Sequence, residues 1–557
     1  MNFYRKNVVF LKNNKKYTML MWCTLILSYG FFATHYSYHI DQLVPEYYSG
    51  TALISAGRWI APLIHLLTNW MNFAPFWHTA IMAALLFFAA TAWIILFKEV
   101  SVDRLSSASL LAFGVFFVSF PVLAAQLTYP VLNIALAYWL IPVALWILIG
   151  KYDEGVIWKR CLVSLLFLVP AIDMYESFAA VFLVGLFAVL ILRYFYDESF
   201  PGKLKDVLLF TIKAVIILLV AIIVDLLISK LVCFVCCGTT KFWYSNNMRI
   251  LWSENKFGFL DNAIWLLRTL FAKYIIGAVS TPFLLLYFVV SIFGCIVSVG
   301  YSLKRKTIIP FFLFAGLFVA SLSLSIVVGY ALAFTQEQAL PIYVAFIVML
   351  IVAVLPKNKS VQMIVAVVLA IIVLNQTQNV NNYAVVNYER YSYESELLED
   401  VGEDLLKHEI NNKPVVFKAE NYQLPQVFAN SQSTQNPIEK RFQNICFHFL
   451  DVVLPKQYYS KMDDWYSDKI GNAESIGRVI AKSQTAYCSF ISWACPTVDS
   501  KAPYHPSIYE AMRRLGYNLI LCSNEDIQQA EKILVENNDS KRYVIIETDE
   551  IIIVQFF

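Results

Sequence analysis

Apolar residues fall in long runs separated by short polar breaks through the first two thirds of the chain. A bilayer-spanning helix needs about 20 mostly apolar residues. Eleven runs suit that length or come close: 18–34, 78–97, 107–125, 131–150, 157–172, 177–193, 207–229, 281–300, 307–330, 339–355 and 360–375. The fifth and sixth are short and meet at IDMYES, which predicts a tight hairpin. From 376 onward the pattern turns polar and charged, beginning with the Asn-rich NQTQNVNNYAVVN. There Tyr388 to His408 reads as an amphipathic helix, and KPVVFKA, YNLILC, YVIIET and IIIVQFF read as strands. Helices are expected near 506–515 and 524–536. The pattern therefore predicts a polytopic α-helical membrane protein of eleven spans, residues 1–375, with a small C-terminal α/β domain, residues 376–557.

Charge orients these spans. Cytoplasmic loops carry an excess of Lys and Arg. With the N-terminus inside, the inner connections hold Lys98 and Arg104; Lys151, Lys159 and Arg160; Arg193, Lys203 and Lys205; Lys304, Arg305 and Lys306; Lys357 and Lys359. The first outer loop, His35 to Trp77, carries only Arg58, and the outer turns near Gln126, Asp173 and Gln336 carry no Lys or Arg. An odd number of spans then puts the tail outside, as an extracytoplasmic domain.

Composition agrees. Hydrophobic residues make up 59% of the chain and the mean hydropathy is +0.59, which excludes a soluble globular protein. A net charge of +3 over 557 residues gives no reason to expect nucleic-acid binding. The basic N-terminus (Arg5, Lys6, Lys12, Lys15, Lys16) leads into apolar sequence without a nearby small-residue cleavage site, so an uncleaved first membrane helix is expected. Ten cysteines show no metal spacing. CFVCC (Cys233, Cys236, Cys237) reads as buried thiols. Cys446, Cys488, Cys495 and Cys522 of the tail are either free or paired in one or two disulfides. No GxxxxGK[ST], GxGxxG or HExxH occurs.

Candidate chemistry concentrates in the first outer loop, HYSYHIDQLVPEYYSGTALISAGRWIAPLIHLL. It is too polar to cross a bilayer and ends in an amphipathic run containing Leu53, Trp59, Ile60, Leu63, Ile64 and Leu67. Ionisable groups beside a membrane core are usually functional. Asp41, Glu46, Asp173, Glu176, Asp225, Glu254, Asp261 and Glu337 all fall near the outer surface. Of these, Asp225 is expected to face water. Residues 230–280 form a second outer loop that breaks the charge rule, with Lys230, Lys241, Arg249, Lys256, Arg268 and Lys273 among Trp243, Tyr244, Trp252 and Trp265. Its cations suit a lipid-linked phosphate and its aromatics suit sugar stacking; an interfacial anchor is the plainer alternative. A carboxylate able to take a proton from an attacking hydroxyl, plus a cation on a departing phosphate, is sufficient for glycosyl transfer. A polyprenyl-phosphate sugar donor requires no nucleotide site.

HIDQL, YYSG and SAGRW in the first outer loop resemble the bacterial serotype-converting O-antigen glucosyltransferases, a GT-C-type membrane family. The resemblance rests on an Asp-centred motif, here Asp41, and on a Gly-Arg-Trp step, here Gly57, Arg58 and Trp59. MYESF resembles that family's YQS-type step, with Glu176 in place of Gln after Tyr175. The resemblance implies transfer of a hexose, glucose first, from undecaprenyl phosphate to a surface glycan such as O-antigen, outside the bacterial inner membrane. It implies Asp41 as catalytic base; Glu46 and Glu176, acids on the same side, are the further candidate catalytic carboxylates. It implies Arg58 as a phosphate-binding or scaffold residue; Trp59 and Tyr175 beside these motifs, and Arg249, Lys256 and Arg268 of the basic outer loop, are the further substrate-binding candidates. No cofactor is required. His35 and His39 beside Asp41 are residue types that ligate a divalent metal, but the sequence supplies no third ligand. Plainer roles remain: a snorkelling Arg58 and a helix-capping Glu176. Other classes, a glycan-lipid transporter or flippase or a non-enzymatic display protein, would favour internal repeats and mid-span charge pairs, or would not require the Asp41 cluster.

Overall fold

The computed structural model describes residues 3–35, 51–68, 75–125, 131–149, 157–198, 200, 204–242, 258–271, 273–274, 282–329, 336–356, 358–408, 410, 412–419, 422, 441, 445, 448, 490–495, 507–533 and 542–557. These fall into two compact units. The first is made mainly of residues up to Thr34 and of Leu53–Asn382, the second mainly of those from Tyr383 onward.

The first unit is helical: α1 (Phe3–Asn13), α2 (Lys15–Thr34), α3 (Thr51–Ser55), α4 (Ile60–Thr68), α5 (Pro75–Val100), α6 (Ser107–Val118), α7 (Pro121–Ala125), α8 (Val131–Ile149), α9 (Ile157–Met174), α10 (Phe178–Tyr196), α11 (Leu204–Cys237), α12 (Phe259–Phe271), α13 (Pro282–Arg305), α14 (Ile309–Val328) and α15 (Ala339–Val354). The long helix α16 (Lys359–Leu405) follows. Among the described residues, eight helical stretches are long and apolar enough to cross a membrane. The protein is thus a multi-pass helical membrane protein. The remaining apolar runs fold as α8, as α15, which is shorter, and as α9, which carries Lys159, Arg160 and Asp173.

Burial separates inner from outer helices. Along α10 (FAAVFLVGLFAVLILRYFY) and α15 nearly every side chain is buried, so these two are core all round. On α11, Leu209, Ile212, Ile216, Leu219, Ile223, Leu226, Leu227 and Leu231 stay exposed, and α16 exposes Met363, Ile364, Val367, Val368, Ile371 and Leu374. Apolar stripes of that length, on helices whose backbone bonds are internal, suit contact with hydrocarbon. Glycines set the closest approaches. A Cβ on Gly316 of α14 would lie 2.2 Å from the Phe187 ring of α10, and one on Gly185 would lie 2.5 Å from Trp93 of α5. Small residues let helix backbones meet this closely.

Two breaks differ from the expected spans. The run 107–125 divides at Ser119–Phe120, because Pro121 has no N–H to continue the ladder and starts α7 instead. Conversely, the last span and the amphipathic helix of the tail are one helix through the Asn-rich stretch. Its amides bond within the helix: Asn381 Nδ2 to the Thr377 carbonyl at 2.8 Å, Asn387 Nδ2 to Tyr383 at 3.1 Å. Of the CFVCC thiols, only Cys233 is buried.

The second unit holds a three-stranded sheet in the order β1-β3-β2, with β1 (Val415–Lys418) parallel to β3 (Ile552–Phe556) and β2 (Tyr543–Glu547) antiparallel to it. Leu397, Leu398, Val401 and Leu405 of α16 join Ile508 and Met512 of a helix at Ser507–Arg514 and the buried β3 residues in one core. YNLILC is extended but is not a strand. It makes one direct backbone bond to β1, from the Val415 N–H to the Ile520 carbonyl at 3.2 Å, and the Tyr509 hydroxyl bonds to the Val415 carbonyl and receives the Cys522 N–H at 3.4 Å. Cys495 and Cys522 are both buried, and burial pushes the Cys522 thiol up to about 11. Hydrogen bonding from the Lys413 ammonium, 2.7 Å away, and then from the His408 ring holds the Glu547 carboxyl below its usual range.

Overpacking a close helix contact costs typically about 1–3 kcal/mol. Gly316→Val should therefore lower the thermal unfolding midpoint of the detergent-solubilised protein. Gly300→Ala, with nothing within 4 Å of the added Cβ, should not. Equal midpoints for the two would remove the close α10–α14 contact.

Candidate functional site

The Gly57-Arg58-Trp59 step is built by a helix end. Gly57 has φ +86°, a left-handed conformation that glycine adopts without strain. Its N–H bonds to the Ile54 carbonyl at 2.9 Å, and the Arg58 N–H bonds to Leu53 at 2.8 Å. That pair of bonds is the Schellman closure of a helix, here α3, with glycine just past its end. The chain then reverses into α4.

Four neighbouring groups hold this step. The Asp173 carboxylate accepts the Trp59 N–H at 3.0 Å and the Ile60 N–H at 2.7 Å. It so fills the N-terminus of α4, where backbone N–H groups lack intrahelical partners. Ser229 on α11 donates to the Gly57 carbonyl at 2.9 Å. The Trp59 indole N–H points to Asp225 Oδ1 at 3.4 Å, a long bond. The Arg58 guanidinium lies 3.2 Å from Glu176 and 4.8 Å from the centre of the Tyr175 ring. Asp173 and Asp225 are buried; the Arg58 side chain is 16% exposed and that of Glu176 44%. Glu176 is thus the carboxylate of the group most open to its surroundings.

The α9–α10 turn that carries Tyr175 and Glu176 is tight, with Phe178 N–H on the Tyr175 carbonyl and Ala179 N–H on that of Glu176. Phe178 meets the buried Tyr138 edge-on at 4.9 Å, and the Tyr138 hydroxyl bonds to Gln338 at 2.7 Å. The turn is therefore fixed from behind by α8 and the start of α15.

A second polar group lies nearby in sequence to the basic loop. Lys273 and Glu337 pair at 2.6 Å with both side chains buried, and the Tyr274 hydroxyl donates to the same carboxylate oxygen. Tyr287 shares a bond with Ser321 at 3.0 Å, and Tyr343 with Ser291 at 2.9 Å. Lys273 is committed to Glu337 rather than to a surface phosphate. Arg268 is also buried, on the face of α12 that carries Asn262, Trp265 and Thr269, while Phe259, Leu260 and Leu267 are exposed.

Four residues expected from the sequence, Arg58, Trp59, Tyr175 and Glu176, come together. Asp41, Glu46, His39, Arg249 and Lys256 lie outside the described residues; His35 packs edge-on against Tyr388 at 5.0 Å. Two expectations change. Asp225 does not face water: it is buried beneath Trp59. The Glu176 side chain goes to Arg58 instead of capping α10. Ser229, on an apolar span with no motif around it, gave no signal in the sequence. Asp173 gave only its acidity.

A family model described as glucosyl transferase GtrII matches residues 30–356. The chain belongs to that family. The match covers more than half of the sequence and includes the whole Arg58–Glu176 group and the Lys273–Glu337 pair. Membership in the GtrII family makes the protein a glycosyltransferase, a glucosyltransferase of O-antigen modification. The resemblance read from SAGRW and MYESF therefore extends well past the 180 residues that carry those motifs. Comparison with curated proteins and with solved structures gave no match.

Removing one partner of a buried ion pair leaves an uncompensated charge, typically at a cost of about 3–5 kcal/mol. Lys273→Met should lower the unfolding midpoint strongly, and Lys273→Met with Glu337→Gln should recover much of it. A Lys273→Met protein as stable as the parent would contradict the pairing.

Proposed function

We propose that the protein transfers glucose from a polyprenyl-phosphate-linked donor, of the undecaprenyl type, to a surface glycan such as O-antigen on the outer side of the bacterial inner membrane. The observation that carries this reading is the half-exposed Glu176, held by Arg58 inside the region the family model matches. The Lys/Arg pattern supports a cytoplasmic N-terminus and an extracytoplasmic tail domain. The absence of a nucleotide-binding motif in the sequence suits a lipid-linked donor.

The chemistry follows. An acceptor hydroxyl attacks the sugar C1, the C1–O bond to phosphate breaks, a carboxylate takes the hydroxyl proton, and the lipid phosphate departs. The resemblance assigns the proton to Asp41, with Glu46 and Glu176 as the other candidate acceptors. Trp59 and Tyr175 supply aromatic faces for a sugar. Arg249, Lys256 and Arg268 are the proposed cations for the phosphate. Arg58 already spends its charge on Glu176 among three carboxylates, an arrangement that disfavours a further anion. Its role is therefore the scaffold one, holding Glu176.

General base catalysis contributes typically about 10²–10⁴-fold. Asp41→Asn should insert normally and lose transfer by roughly that factor; Glu46→Gln should lose less. The assay is glycan modification in cells at matched membrane abundance. Full modification by Asp41→Asn would rule out that base and move the search to Glu46, Asp173 or Glu176.

Orientation is tested separately. A reporter fused after Phe557 should report export. A cytoplasmic signal there would place the acids on the wrong side and remove the reading.

A further inference from the structure

We infer that Asp173 and Asp225 are positioning residues of the transfer reaction. They lock the Arg58–Trp59 step so that Arg58 presents Glu176 to the sugar. The inference rests on the reading above, in which Glu176 faces substrate.

Both carboxylates are buried within a membrane unit, where an ionisable group is costly unless other groups compensate it. The N–H groups that compensate them belong to one short stretch of chain, and the two carboxylates also meet each other. Asp173 receives two successive backbone N–H groups, from Trp59 and Ile60, and Asp225 receives the indole of the same Trp59. Neither carboxylate sits on the step's own helices: Asp173 ends α9 and Asp225 lies on α11, so the step is tied to two separate spans.

Three consequences follow from the geometry. First, a helix N-terminus is a ready anion site, but that of α4 is already filled by Asp173, so the donor phosphate must be met elsewhere. Second, Asp173 uses both oxygens on amides, which withdraws it from the list of proton acceptors. Third, Arg58 lies between Leu53, which takes its N–H at 2.8 Å, and the Asp173-bound Trp59. Its backbone is held on both sides, and its guanidinium reaches Glu176 at 3.2 Å beside the Tyr175 ring. The two bonds to Asp173 are short and the one to Asp225 is long, so Asp173 should dominate.

The test uses the full-length protein in detergent or nanodiscs, with a polyprenyl-phosphate glucose donor and a glycan acceptor, measuring kcat and KM. Misplacing a catalytic group by about 1 Å costs about 10²-fold. Asp173→Asn should lower kcat by roughly 10- to 10²-fold with donor KM little changed. Asp225→Asn, whose amide oxygen still accepts the indole, should lose less. In a Glu176→Gln background, Asp173→Asn should add little further loss, because it acts through Glu176. Should Asp173→Asn fail to accumulate, Ile60→Pro removes the 2.7 Å bond from the other side at a position where helices accept proline, and should lower kcat in the same way. A wild-type kcat for the variant that folds, or full multiplication of the Asp173 and Glu176 losses, would overturn the inference and leave Asp173 with a folding role alone. Wild-type transfer by Glu176→Gln itself would instead overturn the underlying reading of Glu176.

Discussion

The carboxylate of Asp173 is the interaction on which the candidate site depends. It satisfies the first two backbone N–H groups of α4, at 3.0 and 2.7 Å, from a different helix. Without it, a helix would begin in a buried environment with unpaired donors, and each would cost about 1–3 kcal/mol. With it, the Gly57 reversal, the Arg58 side chain and the Trp59 ring all acquire fixed places. Arg58 then brings a charge to Glu176, and Glu176 remains the carboxylate with room for a substrate. The site is thus ordered from the inside outward, from a buried acid through backbone to a cation to an open acid.

The surrounding helices make such a fixed arrangement feasible. α10 is buried on every side and carries the Glu176 turn at its start, so that turn is anchored to the most constrained helix of the unit. Gly185 lets Trp93 of α5 close on it, and Gly316 lets its Phe187 close on α14. The outer faces of α11 and α16 are apolar and exposed, as contact with lipid requires. Three buried charged groups of the unit meet compensating partners: Asp173 on amides, Asp225 on an indole, Lys273 on Glu337. Such compensation is what low dielectric demands of ionisable side chains.

Much of this was legible in the sequence, and the parts that were not have physical reasons. Helical spans show because hydrocarbon forces long apolar runs. Gly57 and Trp59 stood out as a motif, and the family match bears out the resemblance they carried. The partners of that motif are more than 110 positions away, Asp173 at a helix end and Asp225 within an apolar run. Pairing at that separation leaves no local pattern, so Asp225 read as a water-facing acid. Lys273 read as a surface cation for the same reason, since Glu337 lies 64 residues on. The Asn-rich stretch read as a change of domain because the sequence there turns polar and charged, yet within α16 the Asn381 and Asn387 amides bond back along the helix, and that of Asn381 also reaches the Leu27 carbonyl. YNLILC has strand composition, but beside β1 it makes one direct backbone bond, Val415 N–H to the Ile520 carbonyl, with the Tyr509 hydroxyl bridging Val415 and Cys522.

The central claim is that Glu176, held by Arg58, faces the donor sugar. A structure of the protein with a bound, non-transferable polyprenyl-phosphate glucose analogue tests it most directly. The account predicts the sugar within hydrogen-bond reach of the Glu176 carboxylate, about 3 Å, with Arg58 still on Glu176 and Trp59 still on Asp173. A sugar bound away from Glu176, with this cluster unaltered, would contradict it.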